Sequence, residues 1–190
     1  DPNITIQSLI TTDFSNKGIL VKSIVPKNIK HYSFISKDMF IENELGDNHI
    51  ILGSNLAENI GAEVGTNIKL FSSKTISSPF GQLPRSMNLE VKGIFNSGMS
   101  EYDASFAFIS LQNAQRISAL NNKVSVIEVH LTDLKSTESV KKKIEDKFAD
   151  KDLIIRDWKE INKSFWAVLS TERTVMFLIL SLIIIVAAFN

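Results

Sequence analysis

Cysteine is absent from the 190 residues. That excludes a disulfide framework, a thiolate metal site and a cysteine nucleophile, and assigns no compartment, because reducing and oxidising settings both tolerate it. An excess of charge is missing as well. Lys+Arg and Asp+Glu are both 21, so the net charge is zero and the electrostatic footprint of a nucleic-acid binder is lacking. Histidine is scarce: His31, His49 and His130 lie far apart with no ligand-type residue of the same kind at helical spacing, so none reads as a metal ligand. No GxxxxGK[ST] cradle occurs, so the chain does not itself run a P-loop ATPase, and no GxSxG elbow occurs either. Glu101 and Asp103 of "EYD" share a face if they lie on a strand. Nothing near them in sequence supplies a nucleophile or an oxyanion donor, so a solvated turn or a structural hydrogen bond accounts for them better than acid–base chemistry. The reading is therefore a non-enzyme, with no metal and no cofactor.

What is present is ordinary globular material, 44% hydrophobic and 22% charged, long enough for one domain or two small ones. "NITIQSLI" and "GILVKSIV" read as strands joined through the turn residues of "TTDFSNKG". "HYSFISKDMFIENELGDN" reads as holding a short helix ending near Gly46, and "HIILG" as a short strand. In "SNLAENIGAEVG", Ser54 is the expected N-cap and Gly61 the expected glycine past the C-terminus. "NIKLFS", "MNLEVKGIF" and "SFAFIS" are expected strands. Ser110 is expected to cap the helix "LQNAQRISAL". "KVSVIEVHL" and "LIIRD" are expected strands flanking the helix "STESVKKKIEDKF", in which Val140, Ile144 and Phe148 recur every four residues. Asp157 and Glu160 have the spacing of a capping box.

From Trp158 onward a helix is expected to run to the end of the chain. Val175 to Phe189 is apolar throughout except Ser181. A membrane span needs about 20 apolar residues, and the run stops at Asn190 with no charged flank, so it reads as a span cut short. The alternative is a buried helix of a soluble core. The sequence starts at Asp1 with no basic or apolar leader, so no signal peptide is visible in it, and any preceding anchor is expected to have been cut away.

The element order, β-β, then a β-rich middle with short helices, then β-α-β and a long helix, reads as α+β with the middle inserted into an outer, discontinuous unit. Residues 1–48 and 122–163 form the expected outer unit, 49–121 the inserted β-rich unit, and 164–190 a stalk and truncated transmembrane helix.

One stretch stands out. "SSPFGQLPRSM", residues 77–87, carries two prolines and a glycine within six residues and reads as a loop, yet includes Phe80 and Leu83. Two uses fit: the apolar side chains fold back on their own domain, or they fill a pocket on a partner. Pro79 and Pro84 restrict φ and stiffen the segment, which lowers the ordering cost of binding.

Three segments together resemble one family. They are "ILGSNLAENIGAEVGTNIKLFS", "NSGMSEYDASFAFISLQNAQ" and "IRDWKEINKSFWAVLSTERTVMFLILSLIIIVAAFN". Their order and spacing are similar to those of the lipoprotein-releasing-system permeases, LolC and LolE, relatives of MacB-type ABC transporters, from Gly18 onward. The resemblance implies a periplasmic domain built as a porter-like α+β unit with an inserted β-rich, sabre-like unit, on an inner-membrane protein of a Gram-negative bacterium. It implies extraction of lipoproteins from the membrane, a periplasmic lipoprotein carrier (LolA-like) to receive them, a separate ATPase subunit (LolD-like), and a second permease copy or paralogue. In the LolC-like branch a protruding loop docks the carrier. "SPFGQLP" matches its pattern, with Phe80 where methionine is usual, so Ser78, Pro79, Phe80, Gly81, Gln82, Leu83, Pro84 and Arg85 are the expected carrier-binding residues. Phe165, Leu169, Met176, Phe177 and Leu180 are the expected lipid- or lipoprotein-facing residues. An efflux or mechanotransmission permease of the MacB type, and a regulatory membrane protein resembling FtsX, remain alternatives. LolC-like, LolE-like and combined roles remain open too.

Overall fold

The computed structural model of the chain describes residues 1–25, 48–78, 81–151, 153–161 and 163–189, with the side chains of all except 76–78, 164–166 and 169. The expected helix within residues 32–46, and His31, lie outside the described residues.

Six strands close into a barrel in the order β2-β3-β7-β4-β6-β5. They are β2 (Thr5–Thr11), β3 (Asn16–Ile24), β4 (His49–Gly53), β5 (Asn67–Ser78), β6 (Gly81–Phe95) and β7 (Phe106–Ser110). β3 pairs with β7, and β4 with β6, in parallel; the other ladders are antiparallel. Successive side chains along these strands alternate between the inside and the outside of the curved sheet. In β2, Ile6, Ser8 and Ile10 are buried while Thr5, Gln7 and Leu9 are exposed. Ile19 and Val21, Ile50 and Leu52, Ile68 and Leu70, Leu89 and Val91, and Ala107 and Ile109 complete the packed interior.

Short helices close the cluster. α1 (Ser54–Ile60) contributes Leu56, Ala57 and Ile60, and α3 (Leu111–Ser118) contributes Ala114 and Ile117. α1 ends where expected, on Gly61 at φ 64° in the left-handed region that suits glycine. Its N-cap, however, is Gly53 and not Ser54, and no side chain caps it. The strand leads so directly into the helix that Ser54 already has helical geometry. Ser110 caps α3 as expected, its hydroxyl accepting from Asn113 N at 3.2 Å. On the other face of the sheet, Phe95 meets Phe108 edge-on with ring centres 5.3 Å apart and Tyr102 at 6.0 Å, an arrangement aromatic quadrupoles favour. Tyr102 belongs to α2 (Ser100–Ser105). A two-stranded ladder of β1 (Pro2–Asn3) and β8 (Val126–Ile127) completes this unit.

Two compact units are present, 1–130 and 131–190. The expected partition follows different lines: β2 and β3, expected in an outer unit, are hydrogen-bonded to β5 and β7, expected in an insert. Closure of one barrel puts them in a single core. The expected strand over 123–131 shrinks to Val126–Ile127, and 153–157 forms no strand. A strand exists only where a neighbour accepts its ladder, and among the described residues 153–157 has none beside it.

The second unit holds α4 (Thr137–Lys147), α5 (Trp158–Ile161) and α6 (Lys163–Phe189). The capping box at α5 forms in both directions: Glu160 N donates to Asp157 Oδ1 at 2.8 Å, and Asp157 N to Glu160 Oε2 at 3.3 Å. Ser170–Phe189 of α6 is a 20-residue stretch of mean hydropathy 2.2, none of it buried within the chain. It is long and apolar enough to cross a membrane, and its exposure argues against the buried core helix weighed above. The chain is thus α+β, a sheet-rich core followed by an apolar C-terminal helix.

Candidate docking site

The stretch expected to be a loop is the distal half of a hairpin. β5 and β6 stay paired to its end, through Thr75–Pro84, Ile76–Leu83, Ser77–Gln82 and Ser78–Gly81. Only residues 79 and 80 separate the two strands, so the expectations for Pro79 and Phe80 lie outside the described residues. Proline inside a run normally demotes a strand, which is why the sequence ended β5 near Ser72 and began β6 at Met87. A hairpin projecting past its sheet has free edges, and a free edge tolerates proline. Gly81 sits at φ 111°, a backbone setting that favours glycine.

Between Phe71–Ser86 and Thr75–Pro84 the register shifts, so β5 carries extra residues there, as a bulge does. The Ser72 hydroxyl accepts from Lys74 N at 3.1 Å inside this irregularity. Farther out, Thr75 Oγ1 and Gln82 Oε1 lie 3.3 Å apart across the strands. Gly81, Gln82, Leu83 and Pro84 are exposed, Leu83 to 48%. Leaving an isobutyl group of that size in water forgoes part of the roughly 1.5–3 kcal/mol available from burial.

Arg85 is half-buried and turns toward α3: its Nη1 donates to the Arg116 carbonyl at 3.2 Å. It therefore fastens the foot of the hairpin to the last turn of that helix, where carbonyls attract cations. On the outer surface, Leu9, Phe71 and Pro84 line a groove of about 470 Å³ with Gln7, Ser8, Ser72 and Ser73. The Lys69 ammonium stands 5.2 Å from the centre of the Phe71 ring. Leu9 and Phe71 were not singled out from the sequence. The signal available was Leu9 itself, a large apolar residue on the polar beat of the alternating strand Thr5–Thr11.

The other candidates resolve differently. Asp103 is 2% exposed. Its carboxylate accepts from Ser97 N at 2.9 Å and Ser97 Oγ at 2.7 Å, while Glu101 is exposed. The two do not converge, and Asp103 holds the 96–99 turn. Among the described residues no group of three His, Cys, Asp or Glu could hold a metal ion. Met176, Phe177 and Leu180 are exposed along α6; the side chains of Phe165 and Leu169 lie outside the described residues.

Residues 14–147 match the family described as MacB-like periplasmic core domain. The whole chain is 30% identical to the lipoprotein-releasing system transmembrane protein LolC of Neisseria meningitidis serogroup B, and 27% identical to the LolC protein of Xylella fastidiosa, spanning 46% of each. The chain thus spans about half the length of these curated relatives. The extracellular domain of the noncanonic ABC-type transporter YknZ from Gram-positive bacteria superposes with a TM-score of 0.48 at 11% identity, over 78% of this chain and 74% of that one, a likeness too slight to decide the fold.

Proposed function

The chain belongs to the family of MacB-like periplasmic core domains, and from that premise we propose that it is the periplasmic domain of an ABC transporter permease for lipoproteins. The permease takes lipoproteins from the inner membrane of a Gram-negative bacterium and passes them to a soluble periplasmic carrier. ATP is hydrolysed by a separate subunit, and a second permease copy or paralogue completes the assembly. α6 enters the membrane, and the exposed Met176, Phe177 and Leu180 on it offer a wall for acyl chains.

The observation that supports this reading most directly is the hairpin. A paired projection presents exposed Leu83 and Pro84 on its second strand, and Phe80 falls between the two strands in the sequence. Apolar anchors presented on a preorganised support are what a partner pocket binds. Relatives bearing the LolC name over the full length of the chain support lipoprotein as the cargo. The MacB-like family description equally accommodates a periplasmic adaptor as the partner, and the experiment separates the two.

The test is binding of the purified lipoprotein carrier to the full-length permease in detergent. The wild type is expected to bind, and Phe80→Asp, Leu83→Asp and Pro84→Ala to abolish binding without lowering the melting temperature. A wild-type permease that ignores the carrier and captures an adaptor would replace this reading with the efflux one.

A further inference from the structure

We propose that the outer edge of β5, from Ser73 to Ser78, is a template onto which the docking partner adds an extended strand. This rests on the hairpin being the docking element, and adds that the main chain of the hairpin, as well as its side chains, makes the contact.

The ladder dictates which backbone groups are free. β2 accompanies β5 only as far as Ser8–Ser72, and among the described residues no strand pairs with β5 on that side beyond it. Two residues join Ser78 to Gly81, so the closing pair is the hydrogen-bonded kind found in two-residue hairpins. Antiparallel pairs then alternate. Ile76–Leu83 bonds inward again, while Ser77–Gln82 and Thr75–Pro84 direct their N–H and C=O groups outward. Pro84 fits this assignment, since it occupies a position whose missing N–H the hairpin does not use.

The same proline makes the two edges unequal. On β6, the outward donor at 84 is absent and Arg85 follows, which is how an exposed edge is blunted. On β5, Ser73 to Ser78 includes no proline and one charged residue, Lys74, so the edge keeps its outward donors and acceptors at Thr75 and Ser77. An open row of this kind is complementary to one thing above all, another extended main chain. At its foot, where β2 parts from β5, lies the groove of Leu9, Phe71 and Pro84. An added strand places alternate side chains on that face, so the groove receives an apolar one. The occupant we commit to is an extended segment of the partner protein with an apolar residue in register with this groove.

The experiment uses the full-length permease and the purified lipoprotein carrier. Thr75→Pro and Ser77→Pro each delete one outward N–H and leave the inward bonds of the hairpin in place. Each is expected to weaken carrier binding by roughly tenfold or more, the loss of a main-chain bond together with its neighbours on the added strand. Thr75→Val and Ser77→Ala, which keep the N–H, are expected to bind as the wild type does. Hydrogen exchange read at single residues is expected to slow at 75 and 77 on adding carrier and to stay unchanged at 76. If the proline variants bind normally and exchange at 75 and 77 does not change, while Leu83→Asp still abolishes binding, the contact is made by side chains alone and the strand-addition inference is overturned. If Leu83→Asp also binds normally, the hairpin is not the docking element and the functional reading fails first. Slowing at 75 and 77 without carrier, growing with permease concentration, assigns the edge to a second copy and likewise overturns the inference.

Discussion

Arg85 and Arg116 are joined side chain to main chain, the Arg85 Nη1 donating to the Arg116 carbonyl across 3.2 Å. Arg85, expected among the carrier-binding residues, thereby ties the hairpin to the C-terminal turn of α3. Arg85→Met is expected to lower stability by about 1 kcal/mol, the size of one net hydrogen bond from a partly exposed donor, with Arg85→Lys recovering part of it. Urea denaturation of the three proteins measures this. Unchanged stability in both variants would show that the contact contributes nothing.

Gly53 and Asp103 approach so closely that a Cβ on Gly53 would sit 2.1 Å from the Asp103 carbonyl oxygen. Backbone atoms on both sides leave no flexible group to yield. Gly53→Ala is expected to cost about 1–3 kcal/mol through this overpacking. At Gly18 an added methyl meets nothing within 4 Å, and Gly18→Ala is expected to change stability by less than about 0.5 kcal/mol. Thermal melts of both variants give the comparison.

The Asp103 carboxylate satisfies the amide and the hydroxyl of Ser97. Asp103→Ala is expected to cost about 1–3 kcal/mol, because buried donors are left unpaired. Glu101→Ala, at an exposed position, is expected to fall within about 0.5 kcal/mol of the wild type. Equal costs at the two positions would contradict the structural role of Asp103.

In the second unit, the hydrogen bond from the Lys141 ammonium, and after it the Asp157 N–H, hold the Glu160 carboxyl below its usual range; Glu160 in turn raises Lys141. A carboxyl lowered by folding contributes stability above its unfolded value, near 4.5, and loses it as pH falls through the folded value. Raised Lys141 contributes below its ordinary value of 10.5 and loses that as pH rises through the folded one. The pair between α4 and α5 is therefore expected to hold at neutral pH and to release on acidification below about 4.5. A carbon-detected NMR titration is expected to place the Glu160 midpoint under that value, and Lys141→Met to return it to the ordinary range. A wild-type midpoint at or above the ordinary range would mean the pair does not persist in solution.

Much of this was legible along the chain because it depends on neighbours in sequence. The apolar, β-branched content of β2 and β3, the cap at Ser110, the glycine ending α1, the capping box of Asp157 and Glu160, and the apolar stretch of α6 are all set within one strand or a few turns of helix. Three things were not readable, since each requires a partner far away in sequence. The ladder that carries β5 through Ser78 and β6 from Gly81 turns a proline-bearing loop into paired strands, because Pro84 falls where no inward bond is needed. Pairing of β2 with β5 and of β3 with β7 places the expected outer and inserted strands in one barrel, since hydrogen bonds ignore sequence distance once the chain has folded. Departure of β2 from β5 at Ser72 decides which backbone groups are left for a partner. By itself the sequence determined many of the elements, a last helix apolar enough to cross a membrane and a candidate docking stretch; the tertiary structure alone decided that this stretch is a hairpin with one blunted edge and one open one, because an edge is defined by the strand that is missing beside it.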